Sequence, residues 1–82
     1  MQPGDPRADP AVVDLIELAG LWIAAGDWTA LGRTLSRLDA ELVGRFPDHS
    51  EFAERFRRVG RIAIAGAQAE EVRRTYRRAI VG

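Results

Sequence analysis

The chain has 82 residues, with twelve acidic and twelve basic side chains and a formal net charge of zero at pH 7. A chain this short makes one domain and buries only about 60 to 65% of the surface its unfolded form exposes. With no cysteine and a single histidine, it is excluded from disulfide frameworks and thiolate metal sites, which leaves association as the expected source of extra stability.

The zero net charge conceals a segregation. Residues 1–54 hold ten acids and four arginines, whereas 55–82 hold two acids and eight arginines, so the parts carry about −6 and +6. All twelve basic residues are arginine, a bias that fits a GC-rich bacterial genome before any recognition chemistry.

Residues 1–10 read MQPGDPRADP, which has neither the apolar core of a signal peptide nor the pattern of a transit peptide. Residues 1–9 are expected to form a flexible tail, and 10–82 a single helical domain. The longest apolar stretch, 18–25, contains Gly20 and is far shorter than the roughly 20 residues of a membrane span. A cytoplasmic setting without membrane crossing is the expectation.

Asp9 followed by Pro10 is a helix start, a capping carboxylate before a residue suited to the first helical position. The helix it opens should run to about Ala25. It is apolar on nearly every side, with only Asp14 and Glu17 as a polar strip, and such a helix is surrounded by protein. Neighbouring helices of so short a chain cover part of that surface, and a second subunit or partner is expected over the rest.

Gly26 stops the first helix and Asp27 caps the next, giving a tight hairpin. In helix two, Trp28, Leu31, Leu35, Leu38 and Leu42 share one stripe. Arg37 and Glu41 are spaced for a surface ion pair. Pro47 should end the helix near Phe46, and Asp48 with Glu51 has the form of a capping box. Phe52, Phe56, Val59, Ile62, Ala65, Ala69, Val72, Tyr76 and Ala79 then continue one apolar stripe, which favours a long helix. Gly60 and Gly66 weaken it by about 1 kcal/mol each, so one continuous helix and a break or kink near Gly66 stand as alternatives. No β pattern competes. The fold expected is all-α, a small bundle of three to four helices: a hairpin plus a long C-terminal helix, with a kink or break in it left open.

In the first hairpin, Leu15, Leu18, Ala19, Trp22, Gly26 and Leu31 stand near the positions of a tetratricopeptide unit, which this segment resembles. Aligning Gly66 with Gly26 places Arg55, Arg58 and Glu71 opposite Leu15, Leu18 and Leu31, so no repeat family is assigned.

Chemistry fails largely by counting. His49 is the only imidazole, read as a solvated loop residue, with a metal bridge between symmetry-related copies left open. Thr29, Thr34, Ser36, Ser50 and Thr75 lack the context of an activated nucleophile. The carboxylate pairs Asp14 with Glu17 and Glu70 with Glu71 read as solvated helix positions, and the scattered glycines cradle no phosphate. No catalytic, cofactor-binding or metal-ligating residue is assigned, and no cofactor is expected.

The arginine clusters carry more content: Arg55, Arg57, Arg58 and Arg61, then Arg73, Arg74, Arg77 and Arg78 beside Tyr76. A solvated face offsetting the acidic half is one reading. Docking onto an acidic protein surface or an anionic ligand is the second, and nucleic acid the third.

The expectation is a non-catalytic helical interaction or accessory subunit that forms a homo-oligomer, joins a larger protein subunit, or both. Its most concrete form is the small subunit of a bacterial two-component enzyme. Leu15, Trp22, Trp28 and Leu35 are the candidate packing or interface anchors, and Arg73, Arg74, Arg77 and Arg78 the docking contacts. The alternative is a small dimeric DNA-binding or regulatory protein using the arginine-rich C-terminal helix.

Overall fold

A computed structural model describes residues 4–81. At the start of α1 (Pro10–Ala25), the Asp9 carboxylate accepts the backbone N–H of Val12 at 3.1 Å, with Pro10 in the first turn. The same carboxylate meets both terminal nitrogens of Arg45, at 2.6 and 3.2 Å. That contact ties the beginning of α1 to the end of α2 (Trp28–Arg45), and hydrogen bonding from Arg45 holds the Asp9 carboxyl below its ordinary pKa against the opposing effect of desolvation.

Ahead of it, the segment expected as a tail forms a short 3-10 turn over Pro6–Ala8. Pro6 is buried there, and the Arg7 guanidinium lies 5.1 Å from the centre of the Phe52 ring. The remainder of that expectation, residues 1–3, lies outside the described residues.

The connection between α1 and α2 turns on Gly26, whose φ of 70° is left-handed backbone that an L side chain resists. Its N–H donates to the Ile23 carbonyl, and that of Asp27 reaches back to the Trp22 carbonyl at 2.9 Å. The Asp27 side chain then accepts from Ala30 N–H at 3.0 Å and opens α2. Leu31, Leu35, Leu38 and Leu42 all bury from that helix, each worth about 1.5–3 kcal/mol relative to exposure. Trp28 departs from the expected stripe and stays 40% exposed.

Phe46, immediately before Pro47, leaves helical backbone with φ −132° and ψ 56°, as expected of a residue preceding proline. A 3-10 turn over Pro47–His49 follows, then α3 (Ser50–Ile64). The capping box expected of Asp48 and Glu51 does not form: the cap position belongs to His49, with no side-chain hydrogen bond. The turn started by Pro47 uses up Asp48 before the helix begins.

The Arg37–Glu41 ion pair is also absent from the described contacts. Glu41 instead takes Arg45 at 2.8 Å, because Asp9 already draws that guanidinium to this edge.

The break near Gly66 is real. Gly66 has φ 86°, its N–H donates to Ala63, and the N–H of Ala67 reaches the Ile62 carbonyl at 3.0 Å. This is the bond pattern seen at Gly26, forty residues earlier. The chain resumes as α4 (Ala69–Val81). Ala65 and Ala69, placed on a continuous stripe by their spacing, are exposed as a result.

The four helices form an all-α up-down bundle with extents of 42 × 19 × 18 Å. α1 packs on α2 and α4, and α3 packs on the same two. Phe52, Ala53, Phe56 and Val59 of α3 meet the leucines of α2, and Asp39 of α2 pairs with Arg57 of α3 at 2.7 Å. α4 contributes Val72 and Ala79 to the core.

The contact between α1 and α4 centres on Tyr76, whose hydroxyl donates to the Ile16 carbonyl at 2.6 Å. A Cβ at Gly20 would stand 2.7 Å from that hydroxyl. Gly20, which in the sequence merely interrupts an apolar run, is thus where α4 approaches α1.

Candidate interaction surface

The turns at Gly26 and Gly66 place the first residue of α2 beside the last residue of α3. Trp28 and Ile64 therefore face the same shallow groove, over a floor of Leu31, Gly32, Gly60 and Ala63. Ile64 is 87% exposed. Beyond it the outer face of α2 is a wide, nearly flat surface bordered by Thr29, Arg33, Ser36 and Arg37.

Neither Arg33 nor Arg37 enters an ion pair among the described residues. Gly32 sits in a helix interior, a position that costs about 1 kcal/mol relative to alanine. A Cβ there would meet nothing within 4 Å, so the chain's own packing gives no reason for that glycine.

The other sequence-derived anchors lie elsewhere. Leu35 is in the core against Gly60, and Leu15 is half-buried against the core. Trp22 is half-buried with its indole N–H donating to the Thr34 hydroxyl at 3.0 Å. These three pack the chain itself, and of the four only Trp28 is exposed.

Leu18 and Leu21 of α1 are exposed at 36% and 64%, so the bundle covers only part of that apolar helix. Spacing did not find Ile64, since it falls off the Phe52–Phe56–Val59 stripe. Its signal was an isolated large aliphatic at the end of an amphipathic helix.

The basic clusters divide by partner. Arg57 meets Asp39 and Glu54, Arg61 meets Glu54 at 2.7 Å, and Arg73 meets Glu70 at 3.3 Å. Hydrogen bonding to Arg61 lowers the Glu54 pKa, and Asp39 raises that of Arg57. Arg74 and Arg77 are exposed, with no ion pair among the described residues. Arg78 comes instead to a groove between α3 and α4 that it shares with Arg55 and Arg58. The structure thus joins one residue of the C-terminal cluster to two of the earlier one.

Among the described residues no three metal-ligating side chains form a group, and every buried side-chain polar atom has a hydrogen-bond partner. His49 is half-buried, its ring edge-on to Phe46 at 6.3 Å. No helix among the described residues is long and apolar enough to cross a membrane. Comparison with known protein families, curated proteins and solved structures found no match.

Proposed function

We propose that this chain is a non-catalytic helical accessory subunit that receives a helix of a larger partner protein in the groove between Trp28 and Ile64. The observation that carries the reading is the pairing of two exposed large apolar side chains across a floor of Gly32, Gly60, Ala63 and buried Leu31. Small floor residues let a second helix approach closely, while an indole and an aliphatic edge supply apolar contact. Arg33 and Arg37, with no carboxylate partners among the described residues, select a helix that is apolar on one side and acidic along its flank. The open space above Gly32 fits the same occupant.

The most concrete form remains the small subunit of a bacterial two-component enzyme, with cofactor and substrate held by the partner. A cytoplasmic setting accords with a cysteine-free chain.

Light scattering on the purified chain, alone and co-expressed with products of adjacent genes, tests the reading. The expected result is a defined hetero-complex that Ile64→Asp and Gly32→Leu each abolish while the helical circular dichroism of the free chain is kept. A chain that stays monomeric and ignores its neighbours, or a complex indifferent to both substitutions, overturns it. Tight binding of duplex DNA that weakens steeply with salt would favour the DNA-binding alternative.

A further inference from the structure

We infer that the groove between α3 and α4 is a binding site for a small phosphate-bearing ligand of at least two negative charges. The groove encloses about 290 Å³ and is lined by Arg55 and Arg58 of α3 and by Thr75, Arg78 and Ala79 of α4. No carboxylate lines it, and none of the three arginines enters an ion pair among the described residues. On the same two helices, Arg57, Arg61 and Arg73 each find an acid within 3.5 Å. Glu54 and Glu70 are thus engaged by the outer arginines; Arg55 also borders a neighbouring depression with Asp48 and Glu51, but the groove between α3 and α4 has no carboxylate in its own lining.

The placement follows from the helix break. Arg55 and Arg58 lie one turn apart on α3, and Thr75 and Arg78 lie one turn apart on α4. The reversal at Gly66 lays these two short ladders side by side. Fully buried Ala79 lines the groove with these four residues, and its small side chain leaves room between the two ladders.

Guanidinium stays charged at any ordinary pH and presents paired N–H donors that match the oxygens of phosphate. Three such forks offer more donors than one carboxylate can accept, and the Thr75 hydroxyl adds a further donor. A phosphate ester or a diphosphate supplies both the oxygens and the charge. No aromatic side chain lines the groove to stack a nucleobase, so the recognition element is the phosphate itself. The inference stands apart from the reading of the Trp28 groove, which lies on α2 and the far end of α3.

Thermal unfolding of the full chain in inorganic pyrophosphate tests it, with inorganic phosphate and sodium chloride of matched ionic strength alongside. Pyrophosphate should raise the unfolding midpoint in a saturable manner, phosphate should do so more weakly, and chloride should not. Isothermal titration should show affinity for pyrophosphate falling about tenfold in Arg58→Gln and in Arg78→Gln, and unchanged in Arg37→Gln. All three positions are exposed, so these variants are expected to fold. An effect of pyrophosphate no larger than that of matched salt overturns the inference. So does binding that survives the Arg58 and Arg78 substitutions, or binding of an acidic peptide or duplex DNA through these arginines without any binding of pyrophosphate.

Discussion

In the first hairpin, Val12, Ala19 and Ile23 of α1 face Leu31, Leu35, Leu38 and Leu42 of α2. In the second, Phe52, Phe56 and Val59 of α3 share the core with only Val72, Ala79 and half-buried Tyr76 of α4. Both hairpins turn on a left-handed glycine with the same reach-back hydrogen bond. Their core positions also correspond: Val12, Ala19 and Gly20 stand forty residues before Phe52, Val59 and Gly60. Past the longer second connection the offset is forty-one, bringing Leu31 and Leu38 into line with Val72 and Ala79.

One backbone plan thus carries two different fillings. A leucine-rich stripe anchors the first, and aromatic contacts with a single buttressing hydroxyl hold the second. The difference teaches that α4 is the lightly held wall of the bundle, and it shares the arginine clusters with α3, four on each helix.

The hardest test of this contrast is Leu38→Ala, at a fully buried position of α2. A loss of about 2–5 kcal/mol in denaturant unfolding is expected, and a smaller loss would mean that the leucine stripe does not dominate. Gly20→Val comes next. It pushes a side chain against the Tyr76 hydroxyl and should cost about 1–3 kcal/mol, with hydrogen exchange showing α4 amides exposed before those of α1 and α2.

Tyr76→Phe removes only the hydrogen bond to Ile16, for a smaller loss of about 0.5–1.5 kcal/mol at neutral pH. Burial first, and then Glu17, raise the Tyr76 pKa above 10, so the folded state holds the proton after the unfolded state has lost it. The stabilisation is complete below the unfolded value of about 10 and declines as pH rises through the folded one. Because Tyr76 is the only tyrosine, tyrosinate absorbance reads this directly, and the phenylalanine variant should lack that alkaline limb.

The mildest effect is expected at the seam between α1 and α2. Asp9, its pKa lowered first by Arg45, adds stability that is present above the unfolded carboxylate value and lost as pH falls through the folded one. Asp9→Asn should remove that acid-side slope in urea midpoints while leaving α4 protection unaltered.

Local chemistry made much of this fold legible. Asp9 with Pro10, Gly26 with Asp27, and Pro47 each act on the backbone within a few residues, so their consequences are written where they stand. What escaped depended on distant partners. Glu41 has arginines four residues away on either side, and only the arrival of Asp9 decides for Arg45.

Trp28 fits the leucine spacing, yet it lies in the first turn of α2, where Ile64 ends α3 and nothing arrives to cover it. The exposed groove was therefore invisible to periodicity. The arginine clusters were visible as two groups, but their regrouping around Thr75 needed the reversal at Gly66. Of the mismatches between the halves, only Leu31 against Glu71 comes from register, since the offset of forty becomes forty-one past the second turn; Leu15 and Leu18 meet Arg55 and Arg58 with register intact.

The two tryptophans stand in opposite surroundings: Trp22 with its indole N–H donated to Thr34, Trp28 open at the groove edge. The molecule thus carries two intrinsic optical probes, one reporting the interior and one the surface. In a Trp22→Phe background the remaining emission would register arrival of a partner at the groove. In a Trp28→Phe background it would register loss of internal order, so docking and unfolding have separate colours in the same chain.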